Sequence, residues 1–319
     1  MAEQRDRTFS RRAFVAGAVG GAAVLIGSGG ITSAAAAGAR DDWPLDPAWR
    51  TLSSARRRLP YLEPPARTRD VPLPKLSAAR WAVLDEGSGL LLQGQGEDDR
   101  VAIASTTKIA TTSVVLERWG EERLAEAVPV TIDGGAMAAR GSTVMGLQPG
   151  EQLRLETILY GLMLPSGNDA AEQLALAVGE GSRERFVGWM NERAAWLGLQ
   201  NTHYVNPHGL DNPQHYSSAR DLALFARDGM RRWETFAALA RTQSYAGEGF
   251  RFANLNRLLG RYPGADGVKI GFTRAAGRTM VASAERGGRR LYVTVLKSDD
   301  LPTDAAALLD WAWASYRWD

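Results

Sequence analysis

The spacing of apolar residues predicts a mixed α/β fold: an antiparallel sheet flanked by helices, with an all-helical lobe inserted between its early and late strands. Three observations carry that reading. Two short apolar runs around a glycine turn open the body of the chain. Segments with a three-to-four-residue apolar period fill its middle, and short runs with glycine turns return near the end.

ARWAVLDEGSGLLLQGQ, beginning at Ala79, places apolar runs on both sides of Glu86-Gly87-Ser88-Gly89, the pattern of a hairpin. A helix is expected from Ser105 to about Trp119, with Ile109, Val114, Val115 and Leu116 on its apolar side. The lobe is expected over about 121–235, where LRLETILYGLML, NDAAEQLALAVG, RERFVGWMNERAAWLGL and SSARDLALFARDGM show helical spacing. Pro149-Gly150 and Pro165 punctuate these segments. From about Ser244, GFRFANLN, DGVKIGFT and RTMVASAERGGRRLYVTVLKS read as antiparallel strands, and TDAAALLDWAWASYRW as a closing helix. Trp311, Trp313, Tyr316 and Trp318 at that end suit packing against the sheet, because the segment is short and lacks the basic face of a membrane-surface helix.

Residues 1–39 have the order of an export signal: a basic opening, a weakly hydrophobic Ala/Gly/Val run, then small residues. Ser10-Arg11-Arg12-Ala13-Phe14-Val15 resembles the twin-arginine signature S-R-R-x-F. The run from Ala13 to Ala37 is long enough to span a bilayer, but its glycines and alanines make a poor stop-transfer helix, and cleavage before Gly38 or Arg40 is expected. Residues 40–77 hold seven of the 14 prolines and seven arginines, the composition of an extended arm or linker. The folded domain is then 78–319. Of the 38 basic and 36 acidic residues, the signal takes four arginines and two acids, leaving 34 of each sign. A neutral mature chain has no electrostatic footprint for nucleic acid. The absence of cysteine excludes disulfides and lipid attachment through a cysteine.

Three places carry polar residues that are costly as mere structure. Ser105 and Lys108 lie three apart, so on a helix the amine reaches the hydroxyl, a weak nucleophile that needs a base. Ser166-Gly167-Asn168 follows Pro165 in a tight turn before the next helix. On the expected strand Asp266–Thr273, Lys269, Gly271 and Thr273 share one face; a buried lysine there needs a partner, and the glycine admits a ligand close to the backbone. Singly, each is weak, since Ser, Asn and Asp are also ordinary caps and turn residues.

In this order and on these elements, the three resemble the S-x-x-K, Ser-x-Asn and Lys-x-Gly signature of the low-molecular-weight penicillin-binding proteins, the serine D-alanyl-D-alanine carboxypeptidases. AIASTTKIAT, GLQPGEQLRLETILYGLMLPSGNDAAEQLA, NTHYVNPHGLDNPQHYSSARDLALFAR and DGVKIGFTRAAGRTMVASAERGGRRLYVTVL extend the likeness over about 78–319. The resemblance implies a penicillin-binding/β-lactamase-like fold with Ser105 as the acylated nucleophile and Lys108 as its base. It makes Ser166 a proton relay to the leaving amine, and Asn168 the group that holds the lysine and the substrate amide. Lys269, with Gly271 and Thr273, would meet the substrate's terminal carboxylate, and the backbone N–H groups of Ser105 and Phe272 would form the oxyanion hole. It implies release of the last D-alanine from a peptidoglycan stem peptide, covalent inhibition by β-lactams, and no metal or organic cofactor. A D,D-endopeptidase, a β-lactamase and a weakened peptidoglycan-binding relative are the alternatives. Ile270 departs from the usual Lys-Thr-Gly, with Thr273, Arg274 or Arg278 as candidates to replace the lost hydroxyl. Many relatives continue into a β-rich domain and an anchor, whereas this chain stops at Asp319. His203, His208 and His215, spaced by five and seven in a Pro/Gly/Asn loop, do not match a common zinc motif. Asp169, Glu172 and Asp221 are expected as caps and helix-surface charges.

Overall fold

The computed structural model describes residues 63–318; the expected signal, and residues 40–62 of the expected arm, lie outside the described residues. In chain order the elements begin with β1 (Ala66–Arg67), β2 (Arg80–Asp85) and β3 (Leu91–Gln95). A 3₁₀ turn, Ala104–Thr107, runs into α1 (Lys108–Trp119), followed by β4 (Ala127–Pro129), α2 (Gly134–Ala139) and β5 (Gln152–Arg154). Then come α3 (Leu155–Met163), α4 (Asn168–Val178), α5 (Arg183–Trp196), α6 (Ala219–Arg232) and α7 (Glu234–Arg241). The chain closes with β6 (Ser244–Gly247), β7 (Phe250–Ala253), β8 (Ala265–Thr273), β9 (Gly277–Arg286), β10 (Arg289–Ser298), α8 (Leu301–Ser315) and β11 (Tyr316–Arg317).

The central sheet has the order β3-β2-β10-β9-β8, and every pairing in it is antiparallel. The early hairpin thus joins the late strands directly, as the order of apolar patterns predicts. Period-two alternation divides the sheet's side chains between two cores. Ala82, Leu84, Val281, Tyr292 and Leu296 face the helical lobe, while Trp81, Val83, Met280, Ala282, Leu291, Val293 and Val295 face α8. Lobe and closing helix therefore cover opposite faces, with β3 and β8 at the two edges of the sheet. The candidate site lies at the β8 edge.

Two expectations about organisation are corrected. The lobe is not wholly helical: β4 and β5 form a two-stranded ribbon in which only Val128 and Leu153 turn inward. Three-residue strands are too short for alternation to register in the sequence. Ordered structure also begins before residue 78. β1 pairs with β11, Trp311 Nε1 donates to the Val71 carbonyl at 3.0 Å, and Ser77 Oγ donates to Asp304 at 2.7 Å. The end of the expected arm is a strap across α8, and its partners lie at the far end of the chain, out of reach of local composition. Trp311 and Tyr316 are buried and Trp318 Nε1 donates to Asp85 at 2.8 Å, so the terminal aromatics pack on the sheet as expected. Among the described residues no helix is long and apolar enough to cross a membrane.

Candidate active site

Ser105 does not start its helix as a cap. It sits in the 3₁₀ turn one step earlier, and its Oγ lies 2.9 Å from Lys108 Nζ. The residue before it, Ala104, is held at φ +50°, a left-handed conformation costing a side-chain-bearing residue about 1–2 kcal/mol. Ser166 is the second such residue, at φ +68°. Strain at these two positions is tolerated where packing over-determines the backbone.

Lys108 is fully buried, and its Nζ meets three oxygens: Ser105 Oγ, Asn168 Oδ1 at 2.7 Å and the His208 carbonyl at 3.0 Å. Asn168 Nδ2 donates to Ser142 Oγ at 2.8 Å, which fixes the amide with its oxygen toward the lysine. The Asn168 and His208 oxygens can only accept. When the amine is neutral, its two N–H bonds can serve these two oxygens, which leaves its lone pair for the Ser105 hydroxyl. Burial lowers the Lys108 pKa well below the ordinary 10.5, the nearby Lys269 lowers it further, and Asp169 opposes them. Lys269 is itself buried, its Nζ donating to the Ile270 carbonyl at 3.2 Å, and burial brings its pKa down to about 7.

α4 delivers Asn168 beside segment 142–147, which the next residue holds. Asp169, completely buried, accepts from the N–H groups of Met145 (2.8 Å), Gly146 (2.8 Å) and Leu147 (3.0 Å). The Asn168 N–H donates to the Thr143 carbonyl at 2.8 Å. Segment 142–147 is thereby clamped beside the amide that orients Lys108. Ser166 Oγ is buried and meets no hydrogen-bond partner among the described residues. A buried hydroxyl without a partner is costly.

The β8 edge forms the other wall. A Cβ built on Gly271 would lie 2.7 Å from Ser105 N and from Thr279 Oγ1, so the strand and the 3₁₀ turn touch through a glycine that nothing larger can replace. Lys269, Gly271 and Thr273 share the lobe-facing side as expected, whereas Ile270 packs against the opposite core. Phe272 sits on the edge strand and is 69% exposed. Of the three candidates to replace the hydroxyl missing at Ile270, two are already engaged. Thr273 Oγ1 donates to Asp211 at 2.5 Å, and Arg278 donates to the Asp299 carbonyl at 2.8 Å. Arg274 is exposed at the end of the strand.

Asp169, Glu172 and Asp221 are not surface charges; all three are buried. Helical spacing locates them on helices without telling which face meets a neighbouring loop. Glu172 pairs with Arg183 at 2.5 Å and with His208 Nε2 at 3.0 Å. Burial raises its carboxyl, and the interactions with His208 and Arg183 outweigh burial to leave it below the ordinary value. Asp221 accepts from Asn201 N and Thr202 Oγ1, each at 2.8 Å, and burial raises its pKa. The three histidines do not converge: His203 reaches the Gln214 carbonyl, His208 reaches Glu172, and His215 reaches Thr107. Among the described residues no group of three or more His, Asp or Glu side chains is placed to hold a metal ion.

A family profile described as D-alanyl-D-alanine carboxypeptidase, peptidase S11, matches residues 67–300. The chain is 35% identical over 248 residues to the D-alanyl-D-alanine carboxypeptidase DacF of Bacillus subtilis, an alignment covering 75% of this chain and 63% of that protein. It is 36% identical over 261 residues to DacC of Escherichia coli, covering 79% of this chain and 65% of the relative. The chain thus spans less than two thirds of the length of these relatives. The crystal structure of the Streptomyces K15 DD-transpeptidase matches with a TM-score of 0.72 at 33% identity, covering 76% of this chain and all of that one. Fold, motif order and sequence agree over the same region, and the chain belongs to the peptidase S11 family of D-alanyl-D-alanine carboxypeptidases, with their penicillin-binding fold.

Proposed function

We propose that this chain is a serine-type D-alanyl-D-alanine carboxypeptidase that removes the terminal D-alanine from peptidoglycan stem peptides and is acylated by β-lactams. The observation that supports it best is the Lys108 amine, 2.9 Å from Ser105 Oγ, with the Asn168 side-chain oxygen and the His208 carbonyl as its other two partners. Lys108 takes the Ser105 proton as Oγ attacks the carbonyl of the penultimate D-alanine. The Ser105 and Phe272 N–H groups receive the oxyanion. Ser166 Oγ passes a proton to the departing amine, the C–N bond breaks, and water releases the acyl group by the reverse proton path. Asn168 orients both lysine and substrate amide. Lys269 supplies positive charge for the terminal carboxylate, Gly271 lets the peptide lie against the backbone, and Thr273 closes the strand end with Asp211. The free β8 edge suits an extended peptide added as a further strand.

The test is labelled penicillin with intact-mass detection, followed by D-alanine release from a stem-peptide mimic. One long-lived adduct is expected, lost in Ser105→Ala, together with released D-alanine. Rapid drug turnover would point to a β-lactamase, and an adduct without D-alanine release would point to an endopeptidase or a weakened relative. Transfer to an added amine in place of water would align the chain with the transpeptidase it resembles.

Because Ile270 packs against the α8-side core, opposite the face of Lys269, Gly271 and Thr273, Ile270→Thr is expected to leave the acylation rate within about 3-fold of the parent. A rise of about 10-fold, the value of one hydrogen bond to a charged group, would show instead that the hydroxyl reaches the substrate. We further place the protein outside the cytoplasm, exported through the twin-arginine route by residues 1–39, in the cell wall or periplasm and without a stable membrane domain once the signal is removed. Replacing Arg11 and Arg12 with lysine is expected to retain the full-length protein in the cytoplasmic fraction; unchanged export contradicts this route.

A further inference from the structure

Loop 203–216 lies behind the nucleophile turn and bears on it at several points. The Pro207 carbonyl accepts from Thr111 Oγ1 at 2.5 Å, and the His208 carbonyl accepts from Lys108 Nζ at 3.0 Å. Gly209, at φ +92°, is pressed so closely against the Ala104 carbonyl that a Cβ there would stand 1.9 Å from its oxygen. His215, 3% exposed, places its Nε2 2.7 Å from Thr107 Oγ1.

The direction of the last contact follows from the ring's other nitrogen. The Val205 N–H donates to His215 Nδ1 at 3.1 Å, so Nδ1 carries no proton and Nε2–H is the donor. Burial holds the ring neutral, its pKa brought down to about 3. Thr107, accepting from His215, turns its own hydroxyl to the Ala104 carbonyl at 2.8 Å. That carbonyl and the Ser105 N–H are the two ends of one planar peptide unit, so fixing the oxygen fixes the direction of the N–H. A hydrogen bond to the oxygen also polarises the peptide and strengthens its N–H as a donor.

We propose that His215 is a positioning residue for acyl transfer, acting through Thr107 on the Ala104–Ser105 peptide so that the Ser105 N–H points at the developing oxyanion. The inference rests on Ser105 being the nucleophile. Its effect falls on the chemical step, because the oxyanion exists only after attack. Removing an oxyanion donor outright costs about 10²–10³ in rate, and misdirecting one costs less.

The experiment is stopped-flow acylation by a fluorescent penicillin, with thermal midpoints measured in parallel. His215→Leu is expected to lower the first-order acylation constant about 10-fold, with the half-saturating concentration moved less than about 3-fold. His215→Gln, whose Nε2–H reaches toward the same hydroxyl, is expected to recover to within about 3-fold of the parent. Thr107→Val, nearly isosteric, is expected to reproduce the His215→Leu defect, and the double variant to be no slower than either single one. Parent-like acylation by Thr107→Val or His215→Leu overturns the inference, as does a Gln variant as slow as Leu or defects that multiply in the double variant. Thr107→Val with His215→Gln decides the matter should His215→Leu fail to fold. Adduct formation by Ser105→Ala would instead overturn the assignment of the nucleophile, whatever the His215 variants do.

Discussion

Replacing Lys108 with methionine is expected to slow acylation of Ser105 by about 10²–10⁴-fold, the usual contribution of a positioned general base. Methionine keeps most of the length of the unbranched side chain and removes the amine. The half-saturating concentration of a β-lactam should move little, since the amine acts on the serine proton. Lys108→Arg is expected to be just as slow, because a guanidinium stays protonated and cannot accept that proton. The pH profile gives the sign. Attack needs Lys108 neutral, so the rate rises as pH increases through its lowered pKa. In Lys269→Met a repelling charge is gone, Lys108 holds its proton more tightly, and the acid limb moves to higher pH. An acid limb that stays in place or moves down would contradict the proposed coupling.

Asp169→Asn is the change expected to cost the most stability. The carboxylate accepts from Met145, Gly146 and Leu147 in a buried position, and an amide would turn an NH₂ toward groups that can only donate. Losing charge-assisted bonds of this kind costs about 3 kcal/mol or more in total. For a domain of this size the thermal midpoint falls by roughly 2–4 °C per kcal/mol. Acylation should fall as well, because segment 142–147 carries Ser142, which orients Asn168 and through it Lys108. Calorimetry and acylation on the same preparation check both effects. A midpoint within about 2 °C of the parent would show that the loop is held by other contacts.

Much of the candidate site's geometry was legible because the proposed chemistry needs particular residue types at local spacings. Ser105 and Lys108 are one helical turn apart, Ser166 and Asn168 share a turn, and alternation along β8 put Lys269, Gly271 and Thr273 together. The scarcity of lysine is a further signal. Lys75, Lys108, Lys269 and Lys297 are the only lysines among the 38 basic residues, all the others being arginine. Lys75 and Lys297 are exposed, and Lys108 and Lys269 are the buried pair. A guanidinium cannot give up its proton in a protein, so a buried lysine in an arginine-rich chain marks a place where a neutral amine is useful.

What stayed hidden depends on contacts between distant segments. The strap from β1 to Ser77 is completed by β11 and Asp304, and nothing near residue 66 announces them. Asp169 looked like a first-turn helix charge because its position on α4 is just that; only the path of segment 142–147 buries it. The histidine spacing argued against zinc but could not show that His215 reaches across the fold to Thr107. Ile270 was recognisable as a departure, while the commitment of Thr273 and Arg278 to Asp211 and Asp299 appears only in three dimensions.

The central claim is that Lys108 is an uncharged amine whose lone pair faces Ser105. Lysine-selective ¹³C labelling with NMR titration reads it directly, since the chain has four lysines and Lys108→Met removes one resonance for assignment. The account predicts a Lys108 signal that titrates well below 10.5, with the Lys269 signal changing near 7. A Lys108 amine that keeps its proton up into the ordinary lysine range would contradict it.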